Sequence, residues 1–482
     1  CYKGRMSETL LASGPFVFRR MSAPGGGKAK EDSAIGMGRP VTANVSSSSP
    51  EKRRMTMEQK TLQNGLTVAF EPISFFRSAS FGIWVRCGSQ YETEGENGAS
   101  HFIEHMAFKG TKRLSAMDIA VKTDLFGGQV NAYTTKEYTC FYAHTLSTHA
   151  PEAFEMLCDM VANPRFDEKD VETERGVILD EIAMYEDSAD DVAADLLYAG
   201  IWPGKPLSRP ILGTAETVGA LTAESLRAFH ARHYTPNNLV ISVCGNFDKD
   251  AFRDIIDRYF GDALRGQEAK APECGLWTPC LSLREKDFEQ TALLLGLPGL
   301  PSQDERRYAL AVFSNMAGAN ASLRLFQRLR EELGLVYSVY SYHVAHAKAG
   351  LFGVALTVTP DCEEQALEET FRVLCSMRTS MTQEELTRSK EQLKAGLVMN
   401  GEGISARCGN AARGILLEGR VRTEDELLDI VDRMTLEQVT EAAEHALDFE
   451  KLALAAAGRV KARDTYQRLI DAGEQEGYTK QR

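Results

Sequence analysis

Two stretches decide how the chain is built: residues 218–245, VGALTAESLRAFHARHYTPNNLVISVCG, and residues 431–458, VDRMTLEQVTEAAEHALDFEKLALAAAG. At a constant offset of 213 residues, Leu221 meets Met434, Thr222 meets Thr435, Glu224 meets Glu437, Leu239 meets Leu452 and Gly245 meets Gly458. Each copy reads as a Thr-capped helix, a turn, a short apolar strand and a closing glycine. The offset is close to half the ordered length, which predicts two similarly built domains. Helices and strands mix without regular βα alternation. The expectation is therefore an α+β fold in which each domain is a largely antiparallel β-sheet packed with helices.

Outward from these stretches, Gly266–Pro279 is rich in Gly, Pro and charge and reads as a linker. It divides the chain into a first domain over 57–265, a linker over 266–280 and a second domain over 281–482. Near the start, Asn64-Gly65 between two short apolar runs in Thr61–Phe70 is a hairpin signal, and Phe81–Val85 is a strand candidate. Residues 1–56 differ from the rest: the first 54 hold ten Lys/Arg against four Asp/Glu, with a Pro/Gly-rich stretch and the serine run Ser46–Ser49. Such composition buries too little apolar surface to order itself. This tail reads as upstream sequence ahead of a start at Met55 or Met57, with an organellar transit peptide as the alternative.

The remaining composition sets the function class. With 43% hydrophobic and 26% charged residues over 482 positions, the chain is ordinary globular protein of roughly two to four domains. No apolar run approaches the ~18 residues of a membrane span. The net charge of −13 argues against nucleic acid and anionic membrane as partners and suits cationic ligands. The ten cysteines form no CxxC pair and read as reduced thiols of a cytosol-like compartment.

Chemistry concentrates in Gly98–Lys109, GASHFIEHMAFK, where His101, Glu104 and His105 form H-x-x-E-H. Ser100 is the expected N-cap and Gly110 the expected stop of a helix. Residues i and i+4 share a helix face, so both imidazoles can reach one ion. Glu104, on the same side, can take a proton from a metal-activated water without being a ligand. Two histidines do not close a catalytic zinc site, because three protein ligands are usual. Residues 168–186, EKDVETERGVILDEIAMYE, offer a second helix with the stripe Val171, Glu174, Ile178, Glu181, Tyr185. Two carboxylates in a core-facing stripe fit one ligand plus one supporting group. The same stripe equally fits a solvated edge beside Ile178 and Ile182.

With these residues in place, the sequence resembles the pitrilysin/insulinase family of zinc metallopeptidases, the inverted zincins, and within it the processing-peptidase branch. The likeness runs from about Thr61 to Gly458. It is carried by GASHFIEHMAFKGT, GGQVNAYTTKEYT, ERGVILDEIAMYED, RPILGT, YTPNNLVISVCGNF and SLRLFQRLREELGLVYS, and by the position of Glu181, 76 residues after His105. The resemblance implies one Zn2+ per chain held by His101, His105 and Glu181, with Glu104 as general base and Glu174 assisting. It implies that the strand around Asn131 and Ala132 pairs with the substrate backbone, and that Arg330 and Tyr337 grip the substrate. Without it, Arg330 is a surface arginine on an amphipathic helix (Leu323, Phe326, Leu329, Leu333, stopped by Gly334) and Tyr337 a half-buried tyrosine of the following strand. Family members with a complete chamber carry four such domains and this chain has two. The resemblance therefore implies a dimer, either a homodimer or a heterodimer with a paralogous subunit, in which Arg330 and Tyr337 act on the partner's site. The expected activity is zinc metalloendopeptidase action on peptides or unfolded targeting segments, basic ones in particular. The expected setting is the bacterial cytoplasm, with the mitochondrial matrix as alternative. A noncatalytic peptide-binding or core-type structural subunit of the same fold is the competing reading; such a subunit should have lost a ligand or the base, and all four residues are present.

Overall fold

The first sheet is built from β1 (Glu58–Thr61), β2 (Thr67–Pro72), β3 (Ser78–Val85), β4 (Gln129–Thr134), β5 (Thr139–Leu146) and β6 (Leu239–Gly245). The computed structural model describes residues 57–479, so the basic tail and both readings of it lie outside the described residues. In space the strands run β1-β2-β6-β3-β5-β4. The second sheet contains β7 (Cys280–Glu285), β8 (Thr291–Pro298), β9 (Val336–Ala345), β10 (Gly350–Val358) and β11 (Ala453–Gly458), in the order β7-β11-β8-β10-β9. Strand for strand this is the first sheet again. β2 and β6 pair in parallel, as do β7 and β11, and every other neighbouring pair is antiparallel. Among the described residues the first sheet adds one strand, β1, joined to β2 by the Asn64-Gly65 turn, where Asn64 Oδ1 accepts the Leu66 N–H at 3.2 Å.

The repeated stretches fall where the repeat predicts. Thr222 and Thr435 cap helices Ala223–His233 and Leu436–Ala446, each through a capping box. The strands that follow, β6 and β11, are buried at every position, which is why they read as unbroken apolar runs rather than alternating ones. Gly245 and Gly458 end them with φ of +111° and +141°. A Cβ at Gly245 would lie 2.5 Å from the Ser78 carbonyl oxygen, and one at Gly458 2.8 Å from Thr291 Cα, the opening residues of β3 and β8.

Four helices position the site and join the halves: α1 (Ala99–Ala107), α2 (Glu168–Glu186), α3 (Ala189–Ile201) and α4 (Ile404–Arg413). The halves exchange helices. α3, from the first, lays Val192, Ala193, Leu197 and Ile201 against Ala292, Leu294, Ala453 and Ala455 of the second sheet. α4, from the second, lays Ile404, Cys408 and Ala412 against Trp84, Val240 and Cys244 of the first. Arg407 of α4 also pairs with the buried Glu71 of β2. Each sheet therefore has one face covered by its own helices and the other by a helix of the opposite half. A linear division at 266–280 does not show this interleaving, since helix periodicity gives a helix but not its docking partner. Residues 263–279 carry no regular secondary structure, and Cys280 already opens β7.

One predicted element differs. Leu323–Leu333 is not a single amphipathic helix: a three-residue α turn, Arg324–Phe326, runs into a π-helical turn, Gln327–Glu332. The wider turn rotates the inward face, so Leu323, Leu325 and Leu329 are buried while Phe326 and Leu333 are partly covered. Among the described residues no helix is long and apolar enough to cross a membrane, and all nine cysteines are free thiols, seven of them buried.

Candidate metal centre

α1 is buried at eight of its nine positions, and the ninth, His105, has a side chain only 10% exposed. Its start differs from expectation. Gly98 is the N-cap, at φ +96°, and gives no side-chain cap. Ser100 already lies inside the helix, and the capping acceptor comes from upstream. The Glu92 carboxylate accepts the Gly98 and Ser100 N–H groups at 2.8 Å each and the Asn97 side-chain amide at 2.9 Å. Burial pushes the Glu92 carboxyl up to about 7, against the lowering effect of those donors. Nor does Gly110 stop the helix: α1 ends at Ala107 with Phe108 as cap, and Gly110, at φ +123°, carries the chain into a bridge with Ser115.

α2 settles the two readings of its stripe. Val171, Glu174, Ile178 and Glu181 are its buried residues, Glu174 being 3% and Glu181 6% exposed. The stripe faces inward onto α1. Glu181 Oε2 lies 3.6 Å from His101 Nε2 and 3.4 Å from His105 Nε2, and one donor atom from each of the three residues falls within 4.8 Å of the others. Donors bonded at ~2.0–2.1 Å around a tetrahedral zinc ion stand roughly 3.3 Å apart, so the three donors suit such an ion in identity, and the two separations from Glu181 Oε2 suit it in spacing.

The surrounding charges favour a cation. Glu174 Oε2 sits 3.1 Å from His105 Nδ1, and its other oxygen takes the Lys109 ammonium at 2.5 Å. Burial opposes ionisation of Glu174, but the contacts to His105 and Lys109 outweigh it and hold the carboxyl below its ordinary range. Burial likewise works against a charged His105, yet its hydrogen bonds to Glu174 and Glu181 raise that imidazole to about 9. Glu174 thus orients the ring whose opposite nitrogen points at the donor cluster. Glu104, 3% exposed, accepts the Thr134 hydroxyl at 2.6 Å on Oε2.

Thr134 is the last residue of β4, which ends the sheet order and so is an edge strand among the described residues; no local pattern in the sequence marks it as an edge. Asn131 is exposed and Ala132 buried, paired to Tyr142 and Phe141 of β5. Arg330 and Tyr337 form a pair of their own on the second half. Tyr337, 63% exposed, is on the edge strand β9. The Arg330 guanidinium lies 5.7 Å from the centre of its ring and donates to its carbonyl oxygen. Sequence reasoning missed Glu92, Lys109 and Thr134. Thr134 had a usable signal, its in-phase alternation with Ala132; Glu92 and Lys109 had none, because their roles depend on tertiary approach.

Residues 67–215 match the model described as insulinase (peptidase family M16), and residues 220–393 match the one described as the peptidase M16 inactive domain. The chain belongs to the insulinase (M16) family. Over 388 residues it is 39% identical to the uncharacterized zinc protease YmxG of Bacillus subtilis, covering 80% of this chain and 94% of that protein. An uncharacterized zinc protease of Streptomyces coelicolor is 38% identical over 401 residues, 81% of this chain and 87% of that one. The fold agrees with the crystal structure of a peptidase M16 inactive domain from Pseudomonas fluorescens, at TM-score 0.77, 20% identity and coverage of 84% of this chain and 98% of the other. A protease from Helicobacter pylori superposes as well, at TM-score 0.77, 19% identity and coverage of 84% and 99%. Within this M16 chain, all five metal-centre residues lie in the insulinase match, and Arg330 and Tyr337 lie in the second.

Proposed function

We propose that the chain is a zinc-dependent metalloendopeptidase with one zinc per chain, held by His101, His105 and Glu181. The observation that carries this reading is a buried cluster of two imidazoles and one carboxylate within 4.8 Å of one another, with a second carboxylate, Glu104, on the same helix as the imidazoles and held by the Thr134 hydroxyl. When bound, the ion would polarise the scissile carbonyl and make a water acidic enough to lose a proton near neutral pH. The chain's own residues do the rest. Glu104 takes that proton and returns it to the leaving amine, while Thr134 holds the carboxylate in place. Glu174, through His105 Nδ1, fixes the ring orientation. An extended peptide adds to the edge of β4 at Asn131 and Ala132, so main-chain bonds set its register with little sequence demand.

Arg330 and Tyr337 contact substrate at the site of a partner subunit in a dimeric, enclosed chamber that admits unfolded peptides. The charge of −13 supports a preference for basic ones; equal cleavage of acidic and basic peptides at low salt contradicts that preference. The test is a peptide-library digest by the zinc-loaded wild type beside Glu104→Gln. The variant is expected to retain zinc and to lose cleavage by roughly 100-fold or more. A variant that cleaves like wild type overturns the reading.

A further inference from the structure

Hairpin tips ordinarily lie in solvent, but the turn between β4 and β5 does not. Thr135, Lys136, Glu137 and Tyr138 are 7, 9, 4 and 2% exposed. Three of the four are polar and two carry charge, so something must satisfy them. Within the first half, the Gln90 N–H donates to the Lys136 carbonyl at 2.9 Å and Lys136 Nζ to the Arg209 carbonyl at 2.8 Å. The other cover comes from the second half. Glu137 Oε1 accepts the Ala347 N–H at 2.8 Å, Glu137 Oε2 lies 3.2 Å from His346 Nδ1, and His346 Nε2 meets the Tyr198 hydroxyl of α3 at 3.0 Å. His346–Ala349 is the turn between β9 and β10. Since β9 and β10 correspond to β4 and β5, two equivalent hairpin turns meet head to head, with Glu137 as the acceptor between them.

The turn begins one residue after Thr134, whose hydroxyl holds Glu104. We propose that Glu137 is a positioning residue: by fastening the β4–β5 turn to the His346–Ala347 turn, it lets the second half hold Thr134, and through it Glu104, in working geometry. The inference rests on the role proposed for Glu104. The hydrogen-bond partners of the Glu137 carboxylate are Gln90, His346 and Ala347, none of them a metal donor, and the donors sit on α1 and α2. Releasing the turn therefore loosens the base while leaving the metal bound. A purely structural clasp would instead cost stability without singling out Thr134.

The test uses the full zinc-loaded chain and a quenched-fluorescence peptide. Glu137→Ala is expected to lower kcat about tenfold, the scale of one hydrogen bond to a charged group, with KM within about twofold and zinc content unchanged. Glu137→Gln, which keeps an acceptor for the Ala347 N–H, recovers most of that loss. Thr134→Val alone lowers kcat, and Glu137→Ala added to it lowers kcat no further, because both act through one contact. Multiplying losses, a rise confined to KM, or loss of zinc overturns the proposal. A wild type that cleaves no peptide counts against the proposed function. In that case amide hydrogen exchange decides the inference by itself: Glu137→Ala should speed exchange across residues 129–139 and leave α1 and α2 as in wild type, and unchanged exchange there overturns it.

Discussion

Glu92 is not one of the three clustered donors, yet it holds the entrance of the helix that carries three of the site's residues. Its carboxyl is raised by burial to about 7, while in an unfolded chain it titrates near 4.5. The folded state thus binds the extra proton between those values, and stability falls as pH rises from about 4.5 to 7. Glu92→Gln removes this dependence. Urea midpoints measured against pH should converge or cross between wild type and variant over that window, with a differential of roughly 1–3 kcal/mol; parallel curves contradict it. Lys109 makes a second residue-level case. Lys109→Met leaves one Glu174 oxygen buried without its cation and should weaken zinc retention about tenfold in a chelator competition, since groups that orient a ligand typically matter on that scale. At this scale the sequence was legible where chemistry demands a residue type at a fixed spacing, as for His101, Glu104 and His105. It was illegible where the partner arrives from elsewhere in the chain, as Glu92 does to α1 and Thr134 to Glu104.

At the scale of elements, the closing glycines of β6 and β11 carry the clearest constraint. Both combine a positive φ with backbone within 3 Å of where a Cβ would go. Gly245→Ala and Gly458→Ala should each destabilise by about 1–3 kcal/mol, read as a lower urea midpoint, whereas Gly127→Ala, with nothing within 4 Å of its Cβ position, meets only the φ penalty and should cost less. The repeated helix–turn–strand was readable because capping and burial impose the same local pattern on both copies. The π-helical turn at Gln327–Glu332 was not, because its residues also satisfy a 3.6-residue period, and only packing against the second core selects the wider turn. Likewise the periodicity of α2 revealed its stripe but left open whether that stripe faced solvent or the interior; the packing of α1 against it buries Glu174 and Glu181.

Across the whole molecule, the halves are bound by exchanged helices, by the Glu71–Arg407 pair and by the meeting of the two hairpin turns. Two domains were readable from the 213-residue repeat, but the exchange was not, since docking partners leave no mark on local periodicity. The dimer proposed above has a direct consequence. Glu104→Gln and Arg330→Ala should each abolish most cleavage alone. If Arg330 serves the partner's site in a homodimer, mixing the two variants with subunit exchange restores about a quarter of wild-type activity. A mixture no more active than its components contradicts that arrangement.

The proposed function requires that His101, His105 and Glu181 hold the ion and that Glu104 stands beside it without ligating. Metal content per chain, measured by elemental mass spectrometry after dialysis against a chelating resin, tests this most directly. Close to one zinc is expected in wild type and in Glu104→Gln, and close to none in Glu181→Gln. Zinc retained by Glu181→Gln at the wild-type level, or lost from Glu104→Gln, contradicts it.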